Sequence, residues 1–80
     1  MKAKVEVFLK PGVLDVQGKA VENALHGLGW PGASDVRVGR VITFDVGAAN
    51  PEAARKEVEG MCQRLLANPV IESYRIEVAP

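Results

Sequence analysis

The stretch DVRVGRVITFDV, residues 35–46, decides the fold. Its apolar residues at even positions are Val36, Val38, Ile42, Phe44 and Val46. Such alternation is typical of a strand with one buried face, and it continues past Gly39 without a change of phase. A two-residue hairpin at Gly39-Arg40 would turn Ile42 and Phe44 to the solvent. We therefore predict one long strand, bent or bulged at Gly39 and roughly 40 Å in length.

Strands are also predicted at both ends of the chain. Near the N-terminus the apolar alternation runs over residues 3–9, through Ala3, Val5, Val7 and Leu9. Near the C-terminus it runs through Tyr74, Ile76 and Val78. Each pattern favours a strand that buries one face and exposes the other.

Two helices are predicted between these strands. Asp15 is a suitable N-cap for the first helix, and Gly29 is a suitable stop. Asn50-Pro51 has the preferred order for the start of the second helix, and Asn68-Pro69 ends it. The apolar faces comprise Val21, Ala24, Leu25 and Leu28 in the first helix, and Ala54, Val58, Met61, Cys62, Leu65 and Leu66 in the second.

The order of these elements predicts an α+β fold, a two-layer sandwich with the order β-α-β-α-β. Both helices are expected on one face of the sheet, because each strand alternates and so has only one apolar face. The whole chain, residues 1–80, is expected to form a single domain. A ferredoxin-like βαββαβ fold is the alternative if the middle strand is split at Gly39.

Composition narrows the possible functions. Lys plus Arg and Asp plus Glu each total 10, so an extended nucleic-acid or anionic-membrane surface is not expected. No apolar run approaches the roughly 20 residues that span a bilayer, and we expect a cytoplasmic protein. With one cysteine and one histidine, an internal disulfide and a histidine-rich metal site are excluded. Self-association is the expected source of added stability for so small a chain.

Few residues suggest catalysis. Cys62 lies in the apolar stripe of the second helix and is interpreted as a buried thiol, and His26 as an exposed histidine. Arg37 and Arg40 could bind a phosphate or a carboxylate, or they could simply line a solvated strand edge. Gly18, in the first helical turn, indicates either close approach of a partner backbone or local packing. These residues favour a binding or assembly module over an enzyme.

Three stretches together resemble the PurS family, the small subunit of phosphoribosylformylglycinamidine synthase. They are LKPGVLDVQGKAVENALHGLG, VRVGR and MCQRLLANPVIESYRIEV. The resemblance implies a non-catalytic subunit in de novo purine biosynthesis that bridges a glutaminase, PurQ, and a synthetase, PurL, and supports ammonia transfer between them. The complex would be an ATP-dependent carbon–nitrogen ligase with glutamine as amide donor. ATP and magnesium would be used by PurL, with no cofactor on this subunit.

The resemblance also implies which residues contact a partner or a second copy, in a dimer or tetramer. They are Asp15, Gln17, Gly18, Arg37, Gly39, Arg40, Asn68, Pro69, Ile71 and Glu72. Val16 stands where the family usually has proline; that position is the first of the helix, where proline only presets φ. A small regulatory module that binds an anionic metabolite near Arg37 and Arg40 is the alternative function.

Overall fold

A computed structural model describes residues 1–80 and confirms the predicted order of elements. The strands are β1 (Lys2–Leu9), β2 (Arg40–Asp45) and β3 (Glu72–Ala79). The helices are α1 (Val16–Gly27) and α2 (Pro51–Met61), and α2 runs directly into a π-helical turn at Cys62–Leu66. No helix is long and apolar enough to cross a membrane.

The three strands form one antiparallel sheet in the order β2-β1-β3. In the register of the sheet, Val5 lies opposite Ile42 on one side and opposite Ile76 on the other. Val5 is fully buried, and Ile42 packs against the core. The prediction that the even-numbered residues of the middle strand face the core is therefore confirmed, and Val41 lies on the exposed face.

The second helix covers the apolar face of the sheet. Asn50 caps α2 by accepting a hydrogen bond from the Ala53 N–H, and proline occupies its first turn. Ala54, Val58 and Cys62 are all fully buried and belong to the core. Burial of apolar side chains in this layer is the main favourable contribution to folding.

The first helix does not pack on that face, which corrects the prediction of two helices on one side of the sheet. No residue of α1 belongs to the core or packs against it, and Gly18 is its only buried residue. The radius of gyration is 15.9 Å, whereas a compact chain of this length has about 12 Å. Residues 10–39 thus form a projection from the sheet, which we call the arm.

The middle strand is also shorter than predicted, because residues 36–39 do not pair in the sheet. Continuing the register would place them opposite residues 8–11, but β1 ends at Leu9 and the chain turns away at Pro11 and Gly12. The N–H groups of Val36 and Val38 bond instead to carboxylates at α1. The sheet has three strands, so the ferredoxin-like alternative is not found.

Candidate assembly surfaces

The first surface is the corner, residues 65–72, between the π-helical turn and β3. Arg40, the first residue of β2, reaches the corner across the end of β1. Its Nη1 lies 2.7 Å from Glu72 Oε2, and its Nη2 donates to Leu66 O at 2.6 Å and to Glu72 Oε1 at 3.2 Å. One planar guanidinium therefore joins the end of the π-helical turn to the start of β3.

Further hydrogen bonds fix the backbone of the corner. The Asn68 N–H donates to Glu72 Oε1 at 2.7 Å, and Asn68 Oδ1 accepts from the Val70 N–H at 3.0 Å. Lys10 Nζ donates to the carbonyl of Pro69 at 2.8 Å, and the Lys10 N–H donates to the carbonyl of Ile71. The Arg40 guanidinium and then the Asn68 N–H lower the pKa of the Glu72 carboxyl, because both stabilise its charged form.

The corner exposes apolar side chains on this rigid backbone. Leu65 is 82% exposed and Val70 is 78% exposed, while Ile71 is about half as exposed. The exposure of Leu65 corrects its predicted place in the apolar stripe of α2. A π-helical turn contains an extra residue, so Leu66 and Ala67 face inward in its place. Exposed apolar groups on a backbone that is already fixed suit protein binding, since the backbone loses little entropy on association.

The second surface is the arm, whose base is organised by Asp15. Its Oδ1 accepts from the Gly18 N–H at 2.7 Å, and its Oδ2 accepts from the Val38 N–H at 2.7 Å. These two bonds, with that of Val38 the stronger influence, lower the pKa of the Asp15 carboxyl. A Cβ on Gly18 would overlap the Val36 carbonyl oxygen, so the close approach at Gly18 comes from the same chain.

Arg37, Gln17 and His26 are the other polar residues of the arm that the sequence analysis named. The Arg37 guanidinium donates to the carbonyls of Lys10 and Val13, which closes the loop before α1. Gln17 is exposed in the first turn of α1. His26, the exposed histidine, has Nε2 2.6 Å from the Ala33 carbonyl and donates to it, which ties the end of α1 to the returning segment.

The arm carries an exposed apolar stripe that its own sheet does not cover. Leu28, the C-cap of α1, is 71% exposed, and Trp30 just beyond it is 59% exposed. Val21, within α1, is also exposed. The apolar face of α1 was predicted correctly, but its burial within the single chain was not. A stripe of this kind on a separate helix is typical of a surface that another chain covers.

Gly39 joins the two surfaces. A Cβ there would lie 2.6 Å from the Val7 carbonyl oxygen of β1, so only glycine fits where the arm meets the sheet. Five of the predicted residues line a single cleft at this junction: Asp15, Gln17, Gly39, Arg40 and Glu72. The residues chosen from the sequence therefore lie close together in the folded chain, although the hydrogen bonds between them, such as that of Arg40 with Glu72, were not predicted.

The third surface is the outer edge of β2. Val46 exchanges two hydrogen bonds with Met1, so the even-numbered residues of the strand direct their backbone groups to β1. Val41, Thr43 and Asp45 consequently direct theirs away from the sheet. An unpaired edge of this kind can accept a strand from another chain.

The two arginines do not form a common anion site. The Arg40 guanidinium is paired with Glu72, and the Arg37 guanidinium is bound to two backbone carbonyls. Only the Arg40 charge is paired with an acidic group, and the two guanidiniums are bonded to separate partners and do not converge on one ligand. Cys62 is a free, buried thiol as predicted, and burial raises its pKa. It is therefore poorly suited to act as a nucleophile.

The chain is similar in sequence to proteins of one known family. The family model described as PurS, phosphoribosylformylglycinamidine (FGAM) synthase, matches residues 2–80. The chain is 42% identical over 77 residues to the phosphoribosylformylglycinamidine synthase subunit PurS of Methanocaldococcus jannaschii, covering 96% of this chain and 93% of that protein.

Solved structures show the same fold. Bacillus subtilis PurS in its C2 crystal form superposes with a TM-score of 0.88 at 43% identity, covering 99% of this chain and 98% of that one. A chain in the structure of PurLQS from Thermotoga maritima superposes with a TM-score of 0.87 at 32% identity, covering 95% and 93%. With residues 2–80 matched in sequence and 99% of the chain matched in fold, this chain belongs to the PurS family of phosphoribosylformylglycinamidine synthase subunits.

Proposed function

We propose that this chain is the non-catalytic small subunit of an FGAM synthase in purine biosynthesis, bridging the PurQ glutaminase and the PurL synthetase. Family membership supports the pathway and the complex. The Thermotoga maritima relative, described as part of PurLQS, supports assembly with these partners. The observation that carries the bridging role is the corner, because it exposes Leu65 and Val70 outside the chain's own core.

Within the proposed complex, the chemistry belongs to the partners. PurQ releases ammonia from glutamine, and PurL uses ATP and magnesium to convert formylglycinamide ribonucleotide to formylglycinamidine ribonucleotide. Together they form a carbon–nitrogen ligase with glutamine as amide donor, which we place in the cytoplasm. This chain supplies binding surfaces and holds the enzymes in the arrangement that supports ammonia transfer, without a cofactor of its own.

Self-association to a dimer or tetramer is part of the proposal. Only 11 of the 80 residues are buried in the single chain, so its core is small. The arm and the outer edge of β2 both offer surface to a second copy. Covering Leu28 and Trp30 would add apolar burial that the single chain lacks.

Size measurements on mixtures test the bridging role. PurL, PurQ and this chain from one organism are mixed in pairs and all together, with the glutamine and nucleotide substrates present, and analysed by sedimentation velocity. We expect a species containing all three proteins, and no stable PurL–PurQ species without this chain. A PurL–PurQ complex of equal stability in its absence would contradict the bridging role.

A further inference from the structure

Asp15 differs from the other helix cap of the chain in how many segments it joins. Asn50 caps α2 with a single hydrogen bond, from the Ala53 N–H at 2.9 Å. Asp15 makes the equivalent bond to Gly18 and a second bond, through its other oxygen, to Val38. Capping needs only the first bond. Asp15 is 6% exposed, and the second bond is a partly buried, charge-assisted contact between α1 and the returning segment.

The location of that second bond is significant. Val38 precedes Gly39, the residue that lies against the Val7 carbonyl where the arm joins the sheet. The other side-chain bonds from α1 to the returning segment come from Glu22 and His26, which lie farther along the helix from Asp15. Since α1 has no residue in the core, polar bonds at the base have a large part in fixing the direction of the arm.

We propose that Asp15 is a positioning residue, whose carboxylate fixes the direction in which the arm leaves the sheet and thereby sets the affinity of self-association. The inference rests on the proposed assembly function, because a second copy is what the positioned arm would meet. A surface held in its bound orientation loses less entropy on association, so a loosened arm binds more weakly without any change in its contact residues.

The chemistry of the side chain separates positioning from capping. A carboxylate has two acceptor oxygens, one for each N–H, whereas an asparagine side chain has one acceptor oxygen and one donor amide. Asp15→Asn can therefore keep the cap to Gly18, since asparagine caps as well as aspartate, but it places an NH₂ group against the Val38 N–H. Asn50→Asp is the matched control at a cap with a single bond.

The experiment uses the full chain alone. Sedimentation velocity over a range of concentrations gives the dissociation constant for self-association, and amide hydrogen exchange followed by NMR reports on the Gly18 and Val38 N–H groups. For Asp15→Asn we expect a dissociation constant raised about tenfold or more, because a loosened arm loses more entropy on association. We also expect faster exchange at Val38, since its N–H loses its acceptor. Exchange at Gly18 should stay slow. Asn50→Asp should match the wild type in all three measurements.

A second variant tests the same hydrogen bond in case Asp15→Asn does not fold. Val38→Pro removes the donor N–H and leaves Asp15 in place, and it should weaken self-association to a similar extent. The proposal is overturned if Asp15→Asn associates with wild-type affinity, if Asn50→Asp weakens association equally, or if the wild-type chain is monomeric throughout. Because PurL and PurQ are absent, failure of the bridging role would appear in the mixing experiment and not in this one.

Discussion

Arg40 Nη1 lies 2.7 Å from Glu72 Oε2, and this ion pair spans the end of β1, since the two residues begin the strands on either side of it. The same guanidinium reaches Leu66 O, so one side chain connects both flanking strands with the end of the π-helical turn. The corner is thereby held by polar contacts while its apolar side chains remain exposed.

Replacing Arg40 tests how much this pair stabilises the chain. Arg40→Lys keeps the charge but cannot donate to Glu72 and Leu66 in the same fixed geometry. We expect a loss of about 1 kcal/mol in the free energy of unfolding, measured by urea denaturation. Arg75→Lys is the control, because its ion pair with Glu6 is exposed and should change stability by less than about 0.5 kcal/mol. An equal loss in the free energy of unfolding for both variants would show that Arg40 stabilises the chain no more than an exposed ion pair does.

Substitutions in the corner should affect binding and not folding. Leu65→Ser and Val70→Ser alter side chains that are largely exposed, so the free energy of unfolding should change by less than about 0.5 kcal/mol. If the corner contacts PurL or PurQ, a higher concentration of the variant chain will be needed for half-maximal glutamine-dependent turnover. Lys56→Ser, an exposed change on α2, serves as control. Unaltered titration curves for both corner variants would exclude the corner as a contact.

Self-association should depend on the arm stripe. Leu28→Ser removes an exposed apolar side chain whose burial by a second copy would contribute about 1.5–3 kcal/mol. The dissociation constant measured by sedimentation equilibrium should therefore rise at least about tenfold. Asn23→Ser, an exposed change within α1, should leave the dissociation constant unchanged. Wild-type association by the Leu28 variant would show that the stripe lies outside the interface.

Two glycines should tolerate no side chain. In Gly18→Ala the new methyl group would meet the Val36 carbonyl, and in Gly39→Ala it would meet that of Val7. Each variant should lose about 1–3 kcal/mol in the free energy of unfolding. Gly60→Ala is the opposite case, because open space surrounds its Cβ position within α2. It should gain up to about 1 kcal/mol from helix propensity. Urea denaturation of the three variants measures these differences.

Acid should destabilise the chain through Asp15 and Glu72. Both carboxyl groups have a lowered pKa in the folded chain, so their stabilising effect is complete above the ordinary carboxyl pKa of about 4. It is lost as the pH falls through the lower folded-state pKa. Thermal unfolding should be measured from about pH 2 to about pH 7, a range that includes the ordinary carboxyl pKa. The Tm should fall below about pH 4. Glu72→Gln should flatten that fall, whereas Glu57→Gln on the exposed face of α2 should not.

Local features were predicted from the sequence because their causes are local. The caps Asp15 and Asn50 follow from the need of a helix start for an acceptor, and both are confirmed. The phase of the middle strand follows from alternation, which the core confirms at Ile42 and Phe44. The buried thiol of Cys62 follows from helical periodicity, since the π-helical turn begins only at that residue.

The arm could not be predicted, because periodicity shows that a face is apolar but not which chain covers it. Val21 and Leu28 have the spacing of a core helix and yet remain exposed in the single chain. Leu65 was misplaced because the π-helical turn adds a residue that a 3.6-residue repeat does not allow for. The tie between Arg40 and Glu72 joins residues 32 positions apart, beyond the reach of any local pattern.

The proposed coupling role is tested most directly by turnover with two nitrogen sources. Formylglycinamidine ribonucleotide formation by PurL plus PurQ is measured with glutamine or with free ammonia, each with and without this chain. We expect the chain to be required with glutamine and dispensable with ammonia, since its role is to hold the two enzymes together. Glutamine-dependent turnover that is unchanged by its absence, with all proteins from one organism, would contradict the coupling role.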